Sequence, residues 1–216
     1  MFFKLKYCSN DNWFNYDQDE IFHFTKLASF EQIMNSTALR FRKNNYSNDD
    51  RDGKICDYLF SAIESLYSTH FSDNSQWVGF SAMIKSFFEL YEHLNLKRRS
   101  NDYSLNIPTM YNLCFSTEIN SELWSEYGDS DRGVVIEFSK SWLKRFLDYP
   151  NDTYNDNKYF DCTCGKVIYD DESKNFIIRD ILINGFKDYC TLETQEQLND
   201  CLLEVETQLL ICSYFF

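Results

Sequence analysis

The sequence predicts an α+β fold, organised as a single domain over residues 1–216. Short runs rich in β-branched and aromatic residues, bounded by polar stretches, indicate strands, whereas longer segments with apolar residues at helical spacing indicate amphipathic helices. The chain has ample apolar material for a packed core, because 18% of its residues are aromatic and only 6 are Gly and 2 are Pro. This composition excludes collagen-like, linker-rich and intrinsically disordered proteins.

The first half of the chain alternates strands and helices. Its predicted elements are a strand or strand-like arm at 1–7, strands at 21–25 and 38–43, a short helix at 27–36, and two amphipathic helices around 55–66 and 77–94. In the strand at 38–43, apolar and basic residues alternate, so Leu39 and Phe41 are expected to face inward and the two arginines outward.

The second half is expected to be mostly helical. Its predicted elements are strands at 111–116, 133–138 and 164–169, a short helix or turn at 118–127, a helix after Ser139, and long helices at 173–189 and 193–212. The run GVVIEF at 133–138 is almost continuously apolar, which suggests burial on both faces. Ser139 is expected to cap the helix that follows, because its hydroxyl can accept a backbone N–H.

The chain ends in SYFF, an apolar and strand-like run. Because an uncovered strand edge promotes aggregation, we expect Tyr214–Phe216 to pack as a short terminal strand or to be covered by a partner chain. We also expect the domain to lack its final strand.

The charge and the cysteines constrain the compartment and the partners. A net charge of −13 disfavours nucleic acid as the default partner, although the basic stretches 40–43 and 97–99 leave a local patch. Without a leader-like N-terminus or a run of about 18 apolar residues, a cytoplasmic protein with no membrane partner is expected. The eight cysteines are expected to be free thiols and to bind no metal, because the Cys162–Cys164 pair has no second pair at zinc-site spacing.

Some residues could bind a ligand, and each also has a purely structural interpretation. His23 and Thr25 are either core residues or hydrogen-bonding groups at a strand end. Arg40 and Arg42 form either a solvated basic face or a phosphate clamp, since guanidinium groups match phosphate geometry.

Further along the chain, Trp124 and Tyr127 share a helix face, which is more often core than site. Glu137 lies on the polar face of its strand or pairs with an arginine. The sequence has no P-loop, GxGxxG, HExxH or nucleophile elbow.

Short motifs follow one another in a characteristic order. They are FHFT at 22–25, LRF at 39–41, SND at 47–49, CFS at 114–116, LWSEYG at 123–128, GVVIEF at 133–138 and GKVIY at 165–169. This colinear set, which covers most of residues 21–169, resembles a widespread bacterial family of uncharacterised proteins. The sequence departs from that pattern at Asp50, Leu123 and Gly128, where Pro, Met and Ala are common.

The front half also resembles the ADP-ribosyltransferase superfamily. This resemblance implies a mixed or antiparallel β core with flanking helices, and NAD as the substrate. It implies the cofactor-binding residues His23, Thr25, Arg40, Arg42, Tyr46, Phe115, Ser116 and Trp124, and the candidate catalytic residues Tyr127 and Glu137. The superfamily's late-strand glutamate would follow the last helix, where the chain ends. Glu204 and Glu206 spell an ExE pattern, but on a helical stripe.

The function implied by the resemblance is an NAD-dependent ADP-ribosyltransferase, acting as a toxin or anti-phage effector that modifies a nucleic acid or a protein. An antitoxin or chaperone is the expected partner. Two alternatives stay open: a non-catalytic interaction module with the same fold, and an NAD-cleaving hydrolase that uses water as the acceptor.

Overall fold

The computed structural model describes residues 5–9, 19–39, 42–43, 55–99, 111–129, 132–147, 165–213 and 215–216. The elements in these ranges are β1 (Glu20–Thr25), α1 (Leu27–Ser36), β2 (Arg42–Lys43), α2 (Cys56–His70), α3 (Ser75–Arg99), β3 (Tyr111–Asn112), α4 (Ser121–Tyr127), β4 (Val134–Ser139), α5 (Lys140–Leu147), α6 (Asp171–Tyr189) and α7 (Gln195–Cys212). The architecture is α+β and mostly helical, as predicted at the level of class.

The elements group into two compact units. The strand unit contains β1, α1, β2, β3, α4, β4 and α5, and the helical unit contains residues 5–9, α2, α3, α6 and α7. The expectation of one domain over residues 1–216 stays a prediction.

Two small antiparallel sheets form the centre of the strand unit. β1 pairs with β4 from Glu20 opposite Ser139 to Thr25 opposite Val134, and β2 pairs with β3. On the other edge of β1, Phe22 and Ser116 exchange both backbone hydrogen bonds at 2.8 Å. β1 is therefore flanked on both sides, by β4 and by the segment around Ser116.

The helical unit contains the main hydrophobic core. The largest fully buried side chains are Trp77, Phe80, Phe88, Ile55, Leu59, Leu66, Ile84, Ile177, Ile178, Ile181, Leu182 and Leu209. They recur at helical spacing on α2, α3, α6 and α7, which is why the periodicity of the sequence predicted these helices. Phe71 stacks on Trp77 with ring centroids 4.4 Å apart, and Phe186 meets Trp77 edge-on at 5.1 Å.

Local signals set the starts of three helices. The Ser139 hydroxyl accepts the backbone N–H of Trp142 at 3.2 Å, which confirms its expected capping role for α5. Asp170 caps α6 by accepting the N–H of Ser173, and Thr194 forms a reciprocal capping box with Gln197 at α7.

Several predicted strands are wrong. Residues 5–7 form a turn, because the backbone of Tyr7 bonds to side chains of the helical unit rather than to a strand. Residues 165–169 form no ladder, although Ile168 donates one backbone hydrogen bond to the Phe215 carbonyl. Phe215 lies in a turn and is buried against the helical core rather than in a sheet.

Two other predicted strands differ from the structure, one in its bounds and the other in its burial. Residues 38–39 lie outside β2, which covers only Arg42–Lys43. β4 is half-buried rather than buried on both faces, since Glu137 and Ser139, which lie on the same face of the strand, are exposed.

The six cysteines that the structure describes are free thiols. Cys162 and Cys164 lie outside the described residues. None of the described helices combines the length and the apolar character needed to cross a membrane.

Candidate functional site

The predicted ligand-binding residues that the structure describes lie in the strand unit, and all except Arg42 are on or beside β1. Side chains alternate across a strand, and residues paired across two strands share a face. His23 pairs with Ile136, so His23, Thr25 and Ile136 lie on one face of the sheet, which we call the histidine face. Phe22 pairs with both Glu137 and Ser116, so these residues lie on the opposite, glutamate face.

His23 is held by a backbone group of the neighbouring segment. Its Nδ1 lies 3.0 Å from the carbonyl oxygen of Cys114. A carbonyl oxygen can only accept, so Nδ1 carries the hydrogen and donates it. In the neutral imidazole this tautomer leaves Nε2 as an acceptor. The half-buried ring can therefore accept a hydrogen bond from a ligand hydroxyl.

An aromatic row continues from His23 along the histidine face. The Phe115 ring meets His23 edge-on with centroids 5.9 Å apart, and Phe138 meets Phe115 at 5.6 Å. Trp142 of α5 lies beyond Phe138, at 4.5 Å between centroids. Thr25 lies on the same face but is only 8% exposed. His23 is therefore the more accessible of these two polar side chains.

The glutamate face is polar at one end and covered at the other. Trp124 of α4 meets Phe24 edge-on, with ring centroids 5.4 Å apart, and so covers the end near Thr25. At the other end Ser116 is half-buried and accepts the backbone N–H of Glu118 through its hydroxyl. Glu137 is exposed. The structure thus places Ser116 and Glu137 on the face opposite His23, on either side of Phe22.

A tight turn after α4 positions Trp124. The N–H of Gly133 donates to the Gly128 carbonyl at 2.6 Å, and a Cβ on Gly133 would lie 2.6 Å from the Thr25 carbonyl oxygen. A Cβ on Gly128 would lie 2.5 Å from the Trp124 ring. A side chain at position 133 would therefore collide with the backbone of β1, and one at position 128 would collide with Trp124 on α4.

The other candidate residues are placed as follows. Tyr127 lies at the last position of α4 and is half-exposed. Arg42 lies in β2, whereas Arg40 and Tyr46 lie outside the described residues. The roles proposed for all of these residues stay predictions.

Sequence reasoning missed the groups that orient the site. The hydrogen-bonding group of Cys114 is its backbone carbonyl, which every residue has, so the sequence does not distinguish this position. The Gly128–Gly133 turn did have a signal, since two of the 6 glycines of the chain flank a short polar segment between a helix and a strand.

The ExE pair lies in the helical unit, on α7. Glu204 accepts a hydrogen bond from Gln208 at 2.6 Å, and burial raises the pKa of Glu206 to about 7. Glu204 and Glu206 lie on a helix, as expected from their position within a segment whose apolar residues recur at helical spacing.

Taken with the fold, these features define an α+β protein whose central β strand presents a backbone-anchored histidine and an aromatic row. A family model described as "Protein of unknown function (DUF2971)" matches residues 123–202, from α4 into α7. This match agrees with the expected resemblance to an uncharacterised family. No curated protein and no solved structure matches the chain.

Proposed function

We propose that this protein is an NAD-dependent ADP-ribosyltransferase whose histidine face holds the nicotinamide-ribose half of NAD. The observation that carries the proposal is the hydrogen bond from His23 Nδ1 to the Cys114 carbonyl. It keeps Nε2 of the neutral ring as an acceptor for a ribose hydroxyl. Phe115, beside His23, offers an apolar wall for the planar nicotinamide ring.

In the proposed reaction, the bond between the ribose carbon and nicotinamide breaks, and its electron pair leaves with nicotinamide. A nucleophile on a protein or nucleic acid then bonds to that carbon and gives up its proton. The chain would contribute mainly by positioning NAD and by stabilising the developing positive charge. A glutamate carboxylate can stabilise that positive charge, and we propose Glu137 for this role.

A non-catalytic interaction module is the second candidate, and the position of Glu137 favours it. Glu137 extends from the glutamate face, whereas His23 lies on the histidine face. A ligand seated against His23 would have to reach around the edge of β4 to meet this carboxylate. A protein that keeps the binding face without an aligned acid would bind NAD and leave it intact.

The test is to measure NAD binding and nicotinamide release separately. NAD binding to the full chain is followed by saturation-transfer NMR, and nicotinamide release by chromatography, with and without protein, RNA and DNA acceptors. We expect His23→Ala to weaken NAD binding about tenfold, the loss typical of one buried hydrogen bond. Glu137→Gln should abolish release but preserve binding, and Glu126→Gln on the exposed side of α4 is the matched control.

Each outcome identifies one candidate. Release that requires a macromolecule supports the transferase, and release into water alone supports an NAD-cleaving hydrolase. Binding with no release under any condition supports the interaction module. If the folded wild-type chain does not bind NAD, the proposal is wrong.

A further inference from the structure

The junction between β1 and α1 lies just beyond His23 in the strand unit. β1 ends at Thr25 and α1 begins at Leu27, so Lys26 alone connects the strand to the helix. Thr25 lies on the histidine face, two residues along β1 from His23, which is a distance of about 7 Å. A ligand that contacts His23 and extends along β1 in this direction therefore meets the junction.

The first turn of α1 has backbone donors without partners among the described residues. Lys26 is the N-cap residue, and its side chain makes no capping hydrogen bond. Its carbonyl accepts the N–H groups of Ser29 and Phe30, whereas those of Leu27 and Ala28 donate to no described residue. The first turn of α1 also has no acidic residue. The positive end of the helix dipole is thus available to an anion.

A nearly buried hydroxyl group lies at the same junction. Thr25 is only 8% exposed, and its hydroxyl makes no hydrogen bond to a residue that the structure describes. Polar groups with so little exposure are nearly always hydrogen-bonded, because leaving one unpaired costs stability. A ligand oxygen at the end of β1 would accept this hydrogen bond. Thr25 therefore indicates a ligand on independent grounds from the helix terminus.

Lys26 adds a positive charge beside these donors. Its Nζ lies 4.0 Å from a carboxylate oxygen of Asp129, and about half or more of each side chain is exposed. An ion pair of this length and exposure is weak. A ligand group with two negative charges can therefore compete with Asp129 for the lysine, even though the chain as a whole has a net charge of −13.

We propose that the β1–α1 junction binds the diphosphate group of a nucleotide ligand. The phosphate oxygens accept hydrogen bonds from the Thr25 hydroxyl and from the unpaired N–H groups of α1, and Lys26 balances part of their charge. The proposal rests on the proposed function for the identity of the nucleotide, which is NAD. The distance from His23 to Thr25 is similar to that between a ribose hydroxyl and the first phosphate of a nucleotide, so one NAD molecule can contact both.

Ligands with and without phosphate groups test the junction separately from the nicotinamide site. Binding of NAD, nicotinamide riboside, ADP and inorganic pyrophosphate to the full chain is measured by isothermal titration calorimetry. We expect Thr25→Val to weaken NAD and ADP binding about tenfold, the loss typical of one hydrogen bond to a charged group. Lys26→Gln should weaken both about threefold. Neither substitution should change the binding of nicotinamide riboside, which has no phosphate.

Two further substitutions check the role of charge. Asp129→Asn should strengthen NAD binding about threefold, because it removes the carboxylate that competes for Lys26. Asparagine tolerates the positive φ of 52° at this position. Lys166→Gln, at an exposed lysine of the helical unit, makes the same change in net charge as Lys26→Gln and should leave every affinity unchanged.

A proline substitution tests the backbone donors. Leu27→Pro removes one N–H group at the first position of α1, where proline is favoured. Lys26 already has the extended φ of −68° and ψ of 149° that suit a residue before proline. We expect NAD binding to weaken about threefold, since this donor is exposed. Gln195→Pro, at the first position of α7, is the matched control and should bind NAD normally.

The outcomes distinguish this inference from the proposed function. If the wild type binds NAD and the folded Thr25→Val, Lys26→Gln and Leu27→Pro variants bind it equally well, the junction is not the diphosphate site, whereas the proposed function stands. If the wild type binds ADP and pyrophosphate through Thr25 but does not bind NAD, the phosphate site is supported and the proposed function is wrong. If none of the four ligands binds, both are wrong.

Discussion

The helical unit and the strand unit bury their apolar residues to very different extents. In the helical unit, Trp77, Phe80 and Ile84 are completely buried. In the strand unit, no residue of α1 is buried, and β4 is half-buried or exposed along its length. Because hydrophobic stabilisation follows the apolar area removed from water, we expect the helical unit to contribute most of the hydrophobic stabilisation among the described residues. The proposed NAD site lies in the other unit.

The largest effect expected from this comparison is the loss of stability when a core aromatic side chain is replaced by alanine. Trp77→Ala removes the ring that stacks on Phe71 and meets Phe186, so we expect a loss of about 3–5 kcal/mol in the free energy of unfolding. Urea titration followed by circular dichroism measures it. The neighbouring Val78→Ala, at a half-exposed position, should cost much less. Equal losses from both variants would mean that burial does not distinguish the two positions.

Two glycine-to-alanine substitutions, one in each unit, should change the stability of the protein in opposite directions. Gly133→Ala places a methyl group 2.6 Å from the Thr25 carbonyl oxygen, and because backbone cannot yield easily we expect a loss of about 1–3 kcal/mol. Gly79→Ala on α3 meets no atom within 4 Å and should stabilise the helix by about 0.5–1 kcal/mol. Thermal unfolding of both variants provides the comparison. A stable Gly133→Ala chain would show that the turn after α4 tolerates movement.

A half-buried carboxyl group makes the stability of the helical unit depend on pH. Burial raises the pKa of Glu206 from 4.5 to about 7 in the folded state, so the folded chain binds more protons than the unfolded chain between these values. Stability due to this group therefore falls as the pH rises from 4.5 to 7 and is constant above. Allowing for partial solvation, we expect Glu206→Gln to be about 1 kcal/mol more stable than the wild type at pH 8.

Denaturant unfolding at pH 5, 6, 7 and 8 measures this effect, with Glu193→Gln as the exposed control. The advantage of Glu206→Gln should shrink toward pH 5, where the wild-type carboxyl group is also neutral in the folded chain. An advantage that does not vary with pH would rule out titration of Glu206 as its cause.

Helix caps allow a direct comparison of the two units through small expected effects. Thr194→Ala removes the capping box of α7 and should cost about 1 kcal/mol. Ser139→Ala removes the hydroxyl that accepts the Trp142 N–H, but α5 spans only 8 residues. We expect a smaller loss in global stability there, with faster hydrogen exchange confined to α5. Exchange that instead rises equally in both units would show that they unfold together.

The sequence predicted the helices better than the strands. α1 begins and ends where its pattern predicted, and α6 and α7 begin within two residues of their predicted starts. A helix satisfies its own backbone, so periodicity and caps suffice to locate it. A strand needs a ladder of backbone hydrogen bonds to a neighbouring strand, and among the described residues 5–7 and 165–169 belong to no such ladder, although their composition resembles that of β1.

In the candidate site too, some features follow from the local sequence and others depend on contacts between distant segments of the chain. His23 and the strand that carries it follow from the residues alone, because β1 is a short run of β-branched and aromatic side chains. Only the tertiary structure decided that the Cys114 carbonyl fixes the His23 tautomer and that Glu137 lies on the opposite face. Both depend on the register between segments more than 90 residues apart in the chain. A shift of one residue in that register would exchange the two faces.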